Sequence, residues 1–179
     1  MQLIILDRDG VINEDSDAFI KSPAEWKPIR GSLEAIARLH RAGWRVVIAT
    51  NQSGIARNLF DLDMLSRIHE TMHRRVTESG GLIDAVFFCP HGPDDHCDCR
   101  KPKPGMFYDI ADRLRISLSG VPAIGDSLRD IQAARTAGAA PMLVKTGKGA
   151  DTATNPELGE NVPVYNDLYS AVDTLLNDY

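Results

Sequence analysis

Leu3-Ile4-Ile5-Leu6-Asp7-Arg8-Asp9-Gly10-Val11-Ile12-Asn13 decides the fold. Four consecutive apolar residues suit a strand buried on both faces of a parallel sheet, which reads as an unbroken run rather than an alternation. The run stops at Asp7. Asp7 and Asp9, one residue apart and followed by Gly10, put two like charges at the carboxyl end of a buried strand, the edge where open α/β sheets bind ligands. Burying them is costly unless a cation or a proton relieves them. A divalent metal plus one proton-shuttling acid would do so. Alone, an Asp-x-Asp is equally well a pair of loop carboxylates capping a turn, and the later segments decide between the two.

Working outward, strands and helices alternate. Asp15 to Arg30 is polar, carries Pro23 and Pro28, and reads as an irregular excursion over the strand ends that could line an entrance. Ser32 is the expected N-cap of a helix from Leu33 to Ala42, with Gly43 at C′. A second apolar run, Trp44 to Ala49, leads into the small polar loop Thr50-Asn51-Gln52-Ser53-Gly54. Asp61 or Asp63 caps a helix carrying Leu65, Ile68, Met72 and Val76 at surface-helix spacing. Further strands are expected at Ala85 to Phe88, Val121 to Ile124, Pro141 to Val144 and, as an edge, Val162 to Val164. Helices are expected at Gly105 to Leu114, Leu128 to Ala137 and Leu168 to Leu176, with a loop from Gly147 to Val162. This order predicts βαβ units: an α/β, doubly wound, mostly parallel sheet with helices on both sides.

A chain of 179 residues fits one domain, residues 1–179, able to bury roughly 70% of its unfolded surface. The net charge of −5 and the lack of a Lys/Arg cluster offer no footprint for a nucleic-acid backbone, so the expected partner is a small molecule. No apolar run reaches membrane-spanning length, and too few apolar residues precede Asp7 for a signal peptide. A cytoplasmic monomer without membrane contact is expected.

Three strand ends supply Asp7 and Asp9, Thr50 and Asn51, and Asp126, and a parallel sheet brings such ends to one edge. Lys101 adds a positive charge in a loop before a helix. Acid pair, hydroxyl, lysine and third acid are what phosphoryl transfer through an aspartyl-phosphate needs: the phosphate dianion repels a carboxylate nucleophile, so Mg²⁺ and lysine must offset charge. The four segments Asp7-Arg8-Asp9-Gly10-Val11-Ile12-Asn13, Thr50-Asn51, Lys101-Pro102-Lys103-Pro104 and Gly125-Asp126-Ser127-Leu128-Arg129-Asp130 resemble the motifs of the haloacid dehalogenase superfamily of phosphohydrolases, in a Rossmann-like core without a separate cap domain. The longer strings from Thr50 to Arg57 and from Cys97 to Pro102 are similar to one branch, the phosphatases of D-glycero-D-manno-heptose 1,7-bisphosphate. That resemblance implies removal of the 7-phosphate, on the route to ADP-heptose and lipopolysaccharide core. It also implies that Asp7 is the nucleophile, Asp9 the general acid and base, and Thr50 and Lys101 the stabilisers of the transferring phosphoryl. Mg²⁺ would be held by Asp7, Asp9 through its carbonyl, and Asp126. Asn51, Gln52, Ser53, Arg57 and Arg100 are the expected substrate contacts, with Arg57 and Arg100 on the distal phosphate because guanidinium groups grip phosphate in a fork. Asp130 is either a first-turn carboxylate favoured by the helix dipole or support for the metal, and Lys103 is expected at the surface.

All three cysteines lie between Cys89 and Cys99, which excludes a disulfide framework joining distant segments. Cys89-Pro90-His91 and Cys97-Asp98-Cys99 form a closed set of three thiolates and one imidazole, fit for a structural Zn²⁺ in a loop at 89–99. His96 is a rival ligand. Asp15-Ser16-Asp17-Ala18 and Asn58 depart from the branch's usual pattern in loops that face the substrate. The competing readings are a histidinol-phosphate phosphatase, which shares the acid pair and a zinc loop, and two non-enzymes: a catalytically dead binding module and a phospho-receiver domain. A receiver's accepting Asp follows its third strand, where this chain has Cys89.

Overall fold

The structure, a computed structural model, describes residues 2–177; Met1, Asp178 and Tyr179, at the ends of the expected domain, lie outside the described residues. Six strands form one parallel sheet: β1 (Leu3–Leu6), β2 (Arg45–Asn51), β3 (Ala85–Cys89), β4 (Pro122–Gly125), β5 (Ala140–Val144) and β6 (Val164–Tyr165). Helices α1 (Ser32–Arg41), α2 (Leu62–Glu78), α3 (Gly105–Leu114), α4 (Leu128–Thr136), α5 (Gly149–Thr152) and α6 (Leu168–Asn177) complete the chain. Among the described residues, no helix is long and apolar enough to cross a membrane.

The unbroken apolar run works as expected. Ile4 and Leu6 pack into one layer with residues of α1, α2 and α6, while Leu3 and Ile5 pack into the opposite layer with residues of α3 and α4. Each of these fully buried side chains contributes roughly 1.5–3 kcal/mol. The sheet order is β3-β2-β1-β4-β5-β6, so successive connections run one way from β1 and the other way from β4. The crevice at such a reversal is where open α/β sheets take ligands, and here it lies at the ends of β1 and β4.

Local differences from the sequence reading have physical causes. Gly31, not Ser32, is the N-cap of α1, at φ 85°. The Ser32 hydroxyl is drawn instead to carbonyl oxygens, 2.6 Å from Ile12 and 2.8 Å from Ile29, which ties the helix start to the loop after β1. β2 runs on through Thr50 and Asn51 because both pair with β3, opposite Phe88 and Cys89. Between residues 147 and 162, expected as loop, lie α5 and a 3₁₀ turn at Pro156–Leu158, both too short to show a period. Thr152 anchors α5 by donating its hydroxyl to the Asp126 carbonyl at 2.9 Å.

Candidate active site

Register places the site. Leu6 lies opposite Ile48 of β2 and Ile124 of β4, so Asp7, one residue on, and Thr50 and Asp126, two residues on, emerge at one edge. The Asp7 amide extends the ladder by donating to the Ile124 carbonyl at 2.9 Å. Gly10 is needed in the turn that follows: it holds φ 82°, and a Cβ there would collide with the Asp126 carboxylate. Asp7, Asp9, Thr50, Gln52, Ser53, Arg100, Lys101 and Asp126 all line one cavity of about 160 Å³, whose rim includes Asp15, Asp17 and Phe19 from the polar excursion.

Lys101, with 3% of its side chain exposed, is the electrostatic centre. Its ammonium has three donors, and each has a partner: Asp7 Oδ1 at 3.0 Å, Asp130 Oδ1 at 2.6 Å and the Ala49 carbonyl at 2.8 Å. Burial works against its charge, but Asp130 and Asp7 outweigh it and hold the lysine above its ordinary range. For Asp130 burial pushes up, yet Lys101 pulls its carboxyl below the usual value. Asp7 is different. Burial, then Asp130, push it up to about 7 against the pull of Lys101, and burial with the charges of Asp7 and Asp130 pushes Asp126 up to about 8. Asp7, Asp126 and Asp130 each offer an oxygen within 4.8 Å of the others. A surplus of buried negative charge on hard oxygen donors fits Mg²⁺.

The remaining expected residues divide. Thr50 Oγ1 accepts from Gln52 Nε2 at 2.9 Å, and the same amide nitrogen lies 3.0 Å from Asp9 Oδ2. Asn51, expected on substrate, lines the same cavity and also ties its amide to the backbone of Lys101: Oδ1 accepts from the Lys101 amide at 3.0 Å and Nδ2 donates to its carbonyl at 3.1 Å. It fixes the loop that presents the lysine. Arg57 does not line the cavity; its guanidinium lies over the Phe19 ring, 5.5 Å from the centroid. Arg129 and Lys148 line the cavity instead. A signal for Arg129 existed, since a cation in a helix's first turn opposes the macrodipole and asks for another reason to be there. Asp130 does more than either expectation: it closes a capping box on Ser127 and holds Lys101.

At the end of β3, Cys89, His91, Cys97 and Cys99 bring three sulfurs and one ring nitrogen within 4.8 Å of one another. His91 Nδ1 is 3.3 Å from Cys99 Sγ and 3.6 Å from Cys89 Sγ. His96 is not in the group. The soft donor set fits a four-coordinate Zn²⁺. Lys103, half-exposed, closes the loop by donating to the Cys97 carbonyl at 2.8 Å.

Residues 2–127 match the family model described as polynucleotide kinase 3 phosphatase, and residues 98–171 match the one described as HAD-hydrolase-like. A D-glycero-β-D-manno-heptose-1,7-bisphosphate 7-phosphatase of Bordetella bronchiseptica is 59% identical over 178 residues, covering 99% of both chains. The enzyme of the same name from Pseudomonas aeruginosa is 52% identical over 174 residues, covering 97% of both. A crystal structure of the D,D-heptose 1,7-bisphosphate phosphatase of B. bronchiseptica, complexed with magnesium and phosphate, superimposes with a TM-score of 0.98 at 59% identity and covers 100% of both chains. The chain belongs to the family of D-glycero-β-D-manno-heptose-1,7-bisphosphate 7-phosphatases, hydrolases of the haloacid dehalogenase superfamily.

Proposed function

We propose that this phosphatase removes the C7 phosphate of D-glycero-β-D-manno-heptose 1,7-bisphosphate in two steps through Asp7. The observation that carries the chemistry is the Asp7 carboxylate at the cavity floor, held by Lys101 and the Arg8 amide, both on Oδ1. That leaves Oδ2 to attack phosphorus. As the bond between phosphorus and the C7 oxygen breaks, Asp9 protonates the leaving alkoxide; water then attacks phosphorus in the aspartyl-phosphate, Asp9 takes its proton, the bond from phosphorus to the Asp7 oxygen breaks, and inorganic phosphate departs. Two carboxylates are needed because one cannot be nucleophile and acid in the same step, and acid–base assistance of this kind is worth about 10²–10⁴-fold. Thr50 orients a phosphoryl oxygen, and Lys101 offsets the negative charge that gathers there. Mg²⁺, held by Asp7, Asp126 and the Asp9 carbonyl, supplies further positive charge against the phosphoryl oxygens when bound.

The second phosphate calls for cations at the rim. Arg100 and Arg129 supply them: burial, then the neighbouring Arg129 charge, lower Arg100 below its ordinary value, a repulsion that an anion between the two guanidinium groups would relieve. Asp15 and Asp17 lie 3.6 and 4.0 Å from Lys148 Nζ and so spend their charge on it. The surplus at the rim is positive, which suits a bisphosphate better than the cationic amine of histidinol phosphate. The net charge of −5 likewise gives a nucleic-acid 3′ end little to hold. The test is a side-by-side kinetic screen of the heptose bisphosphate, histidinol phosphate and other sugar phosphates, with phosphorus NMR reporting which phosphate leaves. Preference for the bisphosphate with loss at C7 is expected; preference for histidinol phosphate, or loss at C1, sinks the assignment. Arg100→Ala should cost about 2–4 kcal/mol in kcat/KM on the bisphosphate and much less on the heptose 7-monophosphate. Equal losses on both would mean that Arg100 serves the transferring phosphate.

We also propose a structural Zn²⁺ on Cys89, His91, Cys97 and Cys99. Four protein ligands leave no position for substrate. Its task is pre-organisation, because Cys99 is joined through Arg100 to Lys101 and the Arg100 guanidinium lies 3.3 Å from the His91 carbonyl. About one zinc per chain should survive dialysis, and Cys97→Ser should lower both zinc content and Tm, since structural zinc contributes directly to folding. Full zinc content in a Cys97→Ser/Cys99→Ser protein would put the ligands elsewhere.

A further inference from the structure

Arg8 is completely buried, yet its guanidinium carries five N–H donors that need partners. The partners of those donors define a second layer of the site. Nε reaches Asp9 Oδ1 at 3.0 Å and Nη2 reaches Asp9 Oδ2 at 3.1 Å, a fork on the carboxylate, while Nη1 lies 3.1 Å from Nε2 of His69 on α2. Asn13 Nδ2 at 2.8 Å and Gln52 Nε2 at 3.0 Å give Asp9 one further donor on each oxygen. The carboxylate cannot turn without breaking several hydrogen bonds.

His69 is the far anchor of this chain. Burial, then the Arg8 cation and His73 one turn along the helix, push its imidazole down to about 3, so the ring is neutral near pH 7. Because Arg8 can only donate, Nε2 must accept and the proton sits on Nδ1. The ring edge meets Phe88 at a centroid distance of 6.4 Å. A leucine would satisfy the apolar contacts of this helix face as well. What the imidazole adds is a lone pair that fixes the plane of the guanidinium, and through it the plane of the Asp9 carboxylate. Without that acceptor a buried cationic N–H is left unpaired, and the far side of the fork loses its anchor.

We infer that His69, acting through Arg8, is a positioning residue that aims the Asp9 carboxylate at the leaving oxygen of the substrate. The inference rests on the proposed acid–base role of Asp9, and its test separates the two. A sugar alkoxide must be protonated as it leaves, whereas p-nitrophenolate departs without help. The ratio of kcat/KM on the heptose bisphosphate to kcat/KM on p-nitrophenyl phosphate therefore reports the aim of the acid, which a general loss of stability or a misplaced nucleophile would not alter. His69→Leu should lower kcat/KM on the sugar phosphate by about 10–100-fold, the usual effect of an outer partner of an active-site group, and on the aryl phosphate by less than roughly threefold. His69→Gln, whose carbonyl oxygen can take the Arg8 proton, should recover most of the loss. If His69→Leu does not fold, Arg8→Lys, which keeps a charge but loses the fork, should show the same split. Asp9→Asn run alongside should be the most selective of all. Equal losses on both substrates, or no loss in His69→Leu while Asp9→Asn is selective, would overturn the role of His69. An Asp9→Asn protein equally impaired on both substrates would overturn the acid reading beneath it.

Discussion

Asp7→Asn is expected to lower turnover by more than about 10⁴-fold, the scale on which loss of a covalent nucleophile registers, because an amide does not attack phosphorus. The fold should survive. The side chain meets an amide N–H and an ammonium on Oδ1, and an amide oxygen accepts from both. The charge itself is a burden in the metal-free protein, where burial, then Asp130, push Asp7 up to about 7. A carboxyl whose folded value is raised binds its proton more tightly in the native state, so stability falls as pH rises from the ordinary value near 4 to about 7 and stays lowered above it. Asp7→Asn removes that titration. In magnesium-free buffer at pH 8, urea unfolding should therefore find the variant at least as stable as the wild type. A less stable variant would mean that the ion pair with Lys101 outweighs burial. Phosphatase activity that does not grow on storage, and so does not come from deamidation, would remove Asp7 from the nucleophile's role.

The parts of this molecule that could be read in advance are those whose cause is local. Leu3–Leu6 announces a strand covered on both faces by its composition alone, and Asp61 and the Leu65, Ile68, Met72, Val76 stripe announce α2 because cap and periodicity lie within one helix. Asp7, Thr50 and Asp126 could be gathered because a parallel sheet collects its strand ends whatever the side chains do; Lys101, in the loop before α3, is legible only through its motif. Side-chain direction could not be read. That Asn51, in the cavity wall, also holds the Lys101 backbone depends on where a loop fifty residues later passes, and whether Arg57 or Arg129 lines the rim depends on where Phe19 leaves the excursion for Arg57 to stack upon. Ser32 illustrates the same limit at short range: its residue type favours a cap, but carbonyls of the preceding loop take its hydroxyl first. His69 carries no signal of its own in the sequence, because only the position of Arg8, 61 residues away in the chain, gives it a partner.

Lys101→Met should be the most damaging single change to stability in the site. The lysine lies between Asp7 and Asp130 with almost no exposure, and its removal leaves two buried carboxylates facing each other without a counter-charge. Breaking a buried ion pair by deleting one partner costs about 3–5 kcal/mol, which urea unfolding in magnesium-free buffer would register directly. Turnover should fall as well, since Lys101 is the cation held against the Asp7 nucleophile. The two losses have different origins, and a second substitution separates them. Asp130→Asn keeps an oxygen for the Ser127 amide and hydroxyl but removes one of the stranded charges. The double variant Lys101→Met/Asp130→Asn should therefore regain part of the lost stability, with a coupling on the order of 0.5–3 kcal/mol, while regaining no activity. A double variant no more stable than Lys101→Met would show that the cost comes from lost packing of the lysine stem. Recovery of activity along with stability would show that Lys101 holds Asp130 and Asp7 apart without acting on the phosphoryl group at all.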